Sequence, residues 1–152
     1  MTLYIDGDAL PNLLKPILFR AINRESLLTV VVSNKRINIG NSEYISYDIT
    51  DLGPDEADNR IVEMVKEGDL VITSDIPLAD RIIAKKAFVI NHSGKLFDED
   101  NVKQALAIRD LMQSIRDTGE ITKGQAPFSK KDVQNFANQV NQFLNRQRRN
   151  KS

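Results

Sequence analysis

The chain has 152 residues, 41% hydrophobic and 28% charged, which suits one soluble globular domain with its own core. It has no cysteine, which excludes disulfides, thiolate catalysis and Cys-based zinc sites, and its formal net charge is zero, so the chain as a whole offers no electrostatic case for nucleic acid. No apolar run approaches the ~18–20 residues of a membrane span and no signal peptide is visible after Met1, so the expected setting is the cytoplasm, with no membrane partner.

Leu3-Tyr4-Ile5 is a short apolar run of the kind buried on both faces of a sheet, and it ends on Asp6. Gly7 lets the backbone turn before Asp8. Pro11 opens a helix whose Leu13, Leu14, Ile17, Leu18, Ala21 and Ile22 recur at helical spacing, with Pro16 kinking or delaying it. Residues 27–32 read as a second buried strand, 37–43 as a loop and 44–49 as an alternating edge strand. The loop at 51–55 opens a helix that reaches Lys66. Gly68-Asp69 turns into a fourth strand at 70–73, and Ser74-Asp75-Ile76-Pro77 starts a helix with Leu78, Ala79, Ile82 and Ile83 inward.

Residues 87–90 form a fifth strand, followed at 91–97 by a turn with room for a short added strand. Asp98-Glu99-Asp100 caps a helix of about sixteen residues with acids at its positive end. Residues 118–128 are a loop. Ser129 caps a last helix with Val133, Phe136, Ala137, Val140, Phe143 and Leu144 as its apolar stripe. Alternating strands and helices imply parallel β-α-β units. The expectation is one domain: an α/β core over 1–97, two C-terminal helices over 98–146 packed on it as an appendage, and a solvated basic tail at 147–152.

Three places offer inward carboxylates. Asp6 and Asp8 close the first strand, and Asp75 follows the strand ending at Thr73. Asp58 shares a helix face with Ile61, Val62 and Val65, which must meet the sheet, so it points inward from the N-terminal end of its helix. Strand C-termini and the helix starts that follow them share one edge of a parallel sheet, so all three places converge there. Two carboxylates ~5 Å apart repel by roughly 3 kcal/mol at an effective dielectric of about 20. A cation relieves that repulsion, and an all-oxygen donor set suits Mg²⁺ or Mn²⁺. Asp55, Glu56, Asp69 and Asp80 read as solvated, and His92, the one histidine, as a surface residue.

These residues resemble the YaiI/YqxD family of uncharacterised bacterial proteins, which belongs with the PIN-like nuclease folds. The carriers are Asp6-Gly7-Asp8-Ala9-Leu10-Pro11-Asn12, Ala57-Asp58-Asn59 and the run from Gly68 to Ala79, with Arg109-Asp110-Leu111-Met112 and the stretch 124–136. The resemblance implies a three-layer PIN-like domain with a mainly parallel sheet of about five strands and two additional C-terminal helices. It implies a site in which Asp6 is the first-strand acid, Asp58 the helix acid, Asp75 the acid after the Thr-containing strand, and Asp8 a further family acid. Asp80 is the nearest match to a fourth acid. Leu10 stands where the family often has cysteine, and Gly124-Gln125-Ala126-Pro127 replaces its Gly-Gly-Pro loop.

The expected function is phosphodiester hydrolysis on nucleic acid, RNA ahead of DNA. Asp6, Asp58 and Asp75 would be catalytic, and with Asp8 they would hold Mg²⁺ or Mn²⁺. Asn12, Asn34 and Lys35, just past strands one and two, would contact substrate phosphates. One alternative is a non-catalytic nucleic-acid- or protein-binding module on the same fold. Another is a small-molecule phosphohydrolase, because Asp6-Gly7-Asp8 is similar to the acid pair of haloacid-dehalogenase phosphatases.

Overall fold

The computed structural model describes residues 1–53, 55–119 and 128–151. Pro54, residues 120–127 with the Gly124-Gln125-Ala126-Pro127 stretch, and Ser152 lie outside the described residues. The sheet is built from β1 (Leu3–Asp6), β2 (Thr29–Ser33), β3 (Ile45–Ile49), β4 (Leu70–Ile72), β5 (Phe88–Ile90) and β6 (Leu96–Phe97). The helices are α1 (Lys15–Arg24), α2 (Glu56–Met64), α3 (Ile76–Ala84), α4 (Glu99–Asp117) and α5 (Lys130–Lys151).

The strand order is β3-β2-β1-β4-β5-β6. All pairs are parallel except β5–β6, a short hairpin in which Ile90 faces Leu96. The short added strand expected at 91–97 therefore forms, and the sheet has six strands rather than about five. β1 lies at the centre, with Ile5 opposite Val31 on one side and Ile72 on the other.

Alternation along β1 divides the core. Leu3 and Ile5 join one cluster with α1 and α5, while Tyr4 joins another with α2, α3 and Val102 of α4. These two clusters make the sheet the middle of three layers, which is why its central strands are apolar on both faces.

Pro16 falls in the first turn of α1, preceded by a 3₁₀ turn over Asn12–Leu14, so it delays the helix and does not kink it. α2 ends at Met64, two residues before the expected Lys66, because Val65 is already extended. Asp98 caps α4 in a capping box with Asn101, and the helix runs 19 residues.

The expected appendage of C-terminal helices is corrected for α5. Its Phe136, Val140, Phe143 and Leu144 are buried in the same cluster as Leu3, Ile5, Ile72 and Ile90. Each such side chain contributes about 1.5–3 kcal/mol of burial, so α5 is a structural layer of the domain. It also continues to Lys151, which makes the basic tail its last turns. α4 fits the expectation better. Only Val102 is fully buried, Lys103 pairs with Asp80 of α3 at 2.7 Å, and Ile108, Leu111 and Met112 are exposed.

Candidate functional site

From β1 the sheet grows one way through β2 and β3 and the other way through β4 and β5. Such a switch in direction leaves a crevice outside the strand C-termini. Asp6 is the last residue of β1, and Thr73 directly follows β4. Both are buried, so the polar groups here need partners inside the protein.

The Thr73 hydroxyl donates to Asp6 Oδ2 at 2.8 Å and accepts from the Asp75 N–H at 3.1 Å. The Asp8 N–H reaches Asp6 Oδ1 at 3.3 Å, and Asp8 Oδ1 in turn accepts from the Asn34 N–H at 2.8 Å. Asp75 Oδ1 caps α3 by accepting from the Leu78 N–H at 3.0 Å. A Cβ on Gly7 would lie 3.1 Å from Ser33 Cβ and 3.3 Å from Ile37 and Val31, a tight fit that its neighbours would have to yield to by a few tenths of an ångström.

These elements border a cavity of about 590 Å³. Asp6, Asp8, Asp58 and Asp75 line one side with Ala9, Pro11 and Ser74; His92, Ser93, Phe128 and Asp132 complete it. All four acids singled out from the sequence thus share one cavity. The three proposed substrate contacts stand apart from its lining. Asn12 follows Pro11 at the start of the 3₁₀ turn, Asn34 reaches the site through its backbone N–H to Asp8, and the Lys35 carbonyl is engaged by the Ser33 hydroxyl.

Asp58 sits half-buried in the first turn of α2, and its carboxyl is pushed up to about 7. Burial is the main cause, followed by the charges of Asp75, Asp6 and Asp55, with Arg81 opposing them. Asp6 is also raised, chiefly by burial; hydrogen bonds from Thr73 and Asp8 offset part of this, and the Asp8 and Asp75 charges add to it. Among the described residues no Lys or Arg forms an ion pair with any of the four.

Nor do any three His, Asp or Glu side chains among the described residues form a ready cage for a metal ion. A cation at this edge would take only one or two of these carboxylates directly and complete its shell with waters, as ions of the Mg²⁺ kind can.

Several expectations change at this point. His92 is half-buried and lines the cavity. Its Nε2 is buried without a hydrogen-bond partner among the described residues, and burial pushes the imidazole down to about 4, so it is neutral at physiological pH. The turn that carries it is fixed by the His92 N–H on Ser74 Oγ at 3.0 Å and by Asn91 Oδ1, which accepts from the Ser93 and Lys95 N–H groups. Gly94 in that turn has φ +87°, and a Cβ there would meet the Asn135 backbone at 2.4 Å. This packing of the turn on α5 is what buries His92, and only the glycine two residues on hinted at it.

Asp132 was also missed. It forms a capping box with Ser129, whose N–H and hydroxyl both donate to Asp132 Oδ2, and the Ser129-x-x-Asp132 spacing was the available signal. Asp80 is not a fourth site acid, because it is spent on Lys103. Asp69 is not solvated: it is buried and accepts from the Thr2 and Lys66 N–H groups.

The fold and the cavity define an α/β domain with a carboxylate-rich crevice at the C-terminal edge of a mostly parallel sheet. The family model described as "Uncharacterized BCR, YaiI/YqxD family" matches residues 4–146. The chain is 60% identical over 144 residues to a UPF0178 protein of Sulfurimonas denitrificans, covering 95% of each chain. It is 58% identical to one of a Sulfurovum species, over 95% of this chain and 97% of that one. A Nitratiruptor relative is 52% identical over 146 residues, 96% of each. The chain belongs to the YaiI/YqxD family. No solved structure matches it.

Proposed function

We propose that this protein is a divalent-cation-dependent phosphodiesterase of the PIN-like type, acting on nucleic acid, RNA ahead of DNA. One observation carries the reading. Asp6, Asp58 and Asp75 come from three separate elements, face one cavity without a cationic partner among the described residues, and the charges of Asp75 and Asp6 help to raise the pKa of Asp58. Sites that hold acids in mutual repulsion lose stability to do so, and function is the usual reason.

One or two of Asp6, Asp58 and Asp75 would hold Mg²⁺ or Mn²⁺ directly and the others through its waters, with Asp8 assisting. When bound, the cation supplies charge neutralisation at a phosphoryl group and makes water more acidic. The chain's own residues do the rest. Thr73 fixes Asp6 in one orientation while leaving lone pairs on both of its oxygens. Asp58, raised by burial and by the neighbouring acids, is the carboxylate whose charge a bound cation would relieve most. Asp75 is held by its capping bond at the mouth of α3. Phe128 and the His92 turn complete the lining of the cavity.

The test is cleavage of labelled RNA and DNA with Mn²⁺ present. The expected result is Mn²⁺-dependent hydrolysis that survives Asp8→Asn and is lost in Asp6→Asn. Thermal melts give a second readout. Mn²⁺ should stabilise the wild type by about 2.7 kcal/mol at a hundredfold excess over Kd, and Asp58→Asn less. No cleavage of either nucleic acid, together with melts indifferent to Mn²⁺, would overturn the proposal.

A further inference from the structure

The neutral net charge of the chain hides an uneven distribution. α5 carries Lys130, Lys131, Arg146, Arg148, Arg149 and Lys151 but a single acid, Asp132. The rest of its polar surface is almost wholly Asn and Gln. Asn135, Asn138, Gln139 and Gln142 follow one another at three- and four-residue spacings, and Asn145, Arg146 and Arg149 extend the same row. That row is one face of the helix. The opposite face is the buried stripe of Phe136, Val140, Phe143 and Leu144.

Two grooves run along this polar face. One, of about 360 Å³, lies between the 93–95 turn and α5 and is lined by Ser93, Gly94, Lys95 and the row from Asn135 to Gln142. The other, of about 270 Å³, is lined by Gln142, Asn145, Arg146 and Arg149. Ser93 also lines the acidic cavity, and Gln142 lines both grooves. The three depressions therefore adjoin one another in a row along α5, with the Gly94 turn against Asn135 between the first two. The row starts at Asp132 and ends at Arg149, about 26 Å along the helix at 1.5 Å per residue. Neither groove has a carboxylate in its lining.

We infer that this path binds a single strand of nucleic acid by its sugar–phosphate backbone and leads that strand to the acidic cavity. The inference rests on the phosphodiesterase reading for what happens at the cavity end. The chemistry of the path suits the backbone. Arg, Lys, Asn and Gln are the side chains that donate to phosphate and sugar oxygens, and such contacts carry no sequence information. No aromatic residue lines either groove, so grip comes from hydrogen bonds and charge and not from base stacking. The path is one helix face wide and is bounded by a turn, which admits one strand beside α5. Arg146 and Arg149 lie at the end of the row far from Asp6, Asp58 and Asp75, so a polyanion entering there meets their attraction before the carboxylates.

The experiment measures fluorescence polarisation of a labelled oligouridylate with the full chain in EDTA, where no metal is bound and no cleavage is required. Three variants are compared with the wild type: Arg146→Gln with Arg149→Gln, Gln139→Glu alone, and Lys66→Gln with Lys86→Gln. The last pair lies at the opposite end of the sheet, beside the turn into β4. The double arginine variant should bind about tenfold more weakly. Its log–log salt slope should fall by about 1.4, two single-strand phosphate contacts at ~0.7 each. Gln139→Glu should also weaken binding with no change in its melt, and the Lys66 and Lys86 variant should bind as the wild type does.

The inference is overturned if the wild type does not bind, if the α5 variants bind as well as it does, or if the distant lysines matter equally. It is also overturned if polyglutamate displaces the probe as well as unlabelled RNA, which would make the path a surface for acidic polypeptides. None of these readouts depends on cleavage, so failure of the proposed hydrolysis and failure of the path are seen separately.

Discussion

Two acids at opposite ends of the sheet show how differently a protein can treat a carboxylate. Asp69, just before β4, is buried, and each of its oxygens accepts a backbone N–H at 2.9 Å, one from Thr2 and one from Lys66. Asp58, across the domain, is half-buried and accepts no hydrogen bond from the described residues, and its neighbours include Asp6 and Asp75. Burial alone does not separate them, since the structural acid is the more buried of the two. Satisfaction does. Asp69 closes the chain on itself, whereas Asp58 is left with lone pairs facing a cavity and charges of its own sign.

The largest effect expected from breaking this contrast is at Asp69. Asp69→Ala leaves the part-buried N–H groups of Thr2 and Lys66 without their acceptor, at about 1–3 kcal/mol for each orphaned donor. A loss of about 3 kcal/mol in urea unfolding is expected, with the cavity acids untouched. A loss under about 1 kcal/mol would mean that water replaces the carboxylate easily.

A smaller loss is expected at the hinge between the two regimes. Thr73→Val keeps the shape but removes both the donor to Asp6 and the acceptor for the Asp75 N–H. That should cost about 2 kcal/mol and raise the Asp6 carboxyl further. Equilibrium denaturation of the isosteric pair measures it, and equal stabilities would remove Thr73 from the account.

The smallest effect has the opposite sign. The Asp58 carboxyl titrates near 7 in the fold against about 4 when unfolded, so between these values the native state binds more protons and stability falls as pH rises. Asp58→Asn does not titrate. It should match the wild type below about pH 4 and exceed it above about pH 7, by on the order of 1 kcal/mol once solvent screening of a half-exposed group is allowed for. If the acid instead serves the helix dipole at the start of α2, the variant melts earlier at high pH. Metal-free melts across this range distinguish the two.

The legible parts of this molecule were those set by local pattern. Leu3-Tyr4-Ile5 and the run before Thr73 announce buried strands, and the spacing of Asp58 from Ile61 and Val62 fixes its face without any tertiary knowledge, although Val65 proves to lie beyond the helix. Asp6 and Asp75 were legible because strand ends in parallel sheets share an edge. The illegible parts depend on partners far away in sequence. Asp69 is buried by a donor at Thr2, 67 residues earlier, which no local pattern encodes. His92 is buried because Gly94 lets its turn lie against Asn135. The row of amides on α5 was present in the sequence, but its meaning depends on which face the helix turns to the sheet. The tail expected to be solvated is exposed over most of 145–150, but it continues α5 and does not leave the helix.

α4 and α5 are close in length, at 19 and 22 residues, but they stand on different footings. α5 is pinned by four buried side chains, whereas α4 keeps its first turns through the Asp98 cap and Val102. Beyond Ala105, α4 has little tertiary cover among the described residues, and an isolated helix of that length is marginal in water. Opening there costs far less than unfolding the domain. The molecule therefore has a graded free-energy surface. Amide exchange is expected to be fastest in the distal turns of α4 and slowest in the buried strands and along the buried stripe of α5.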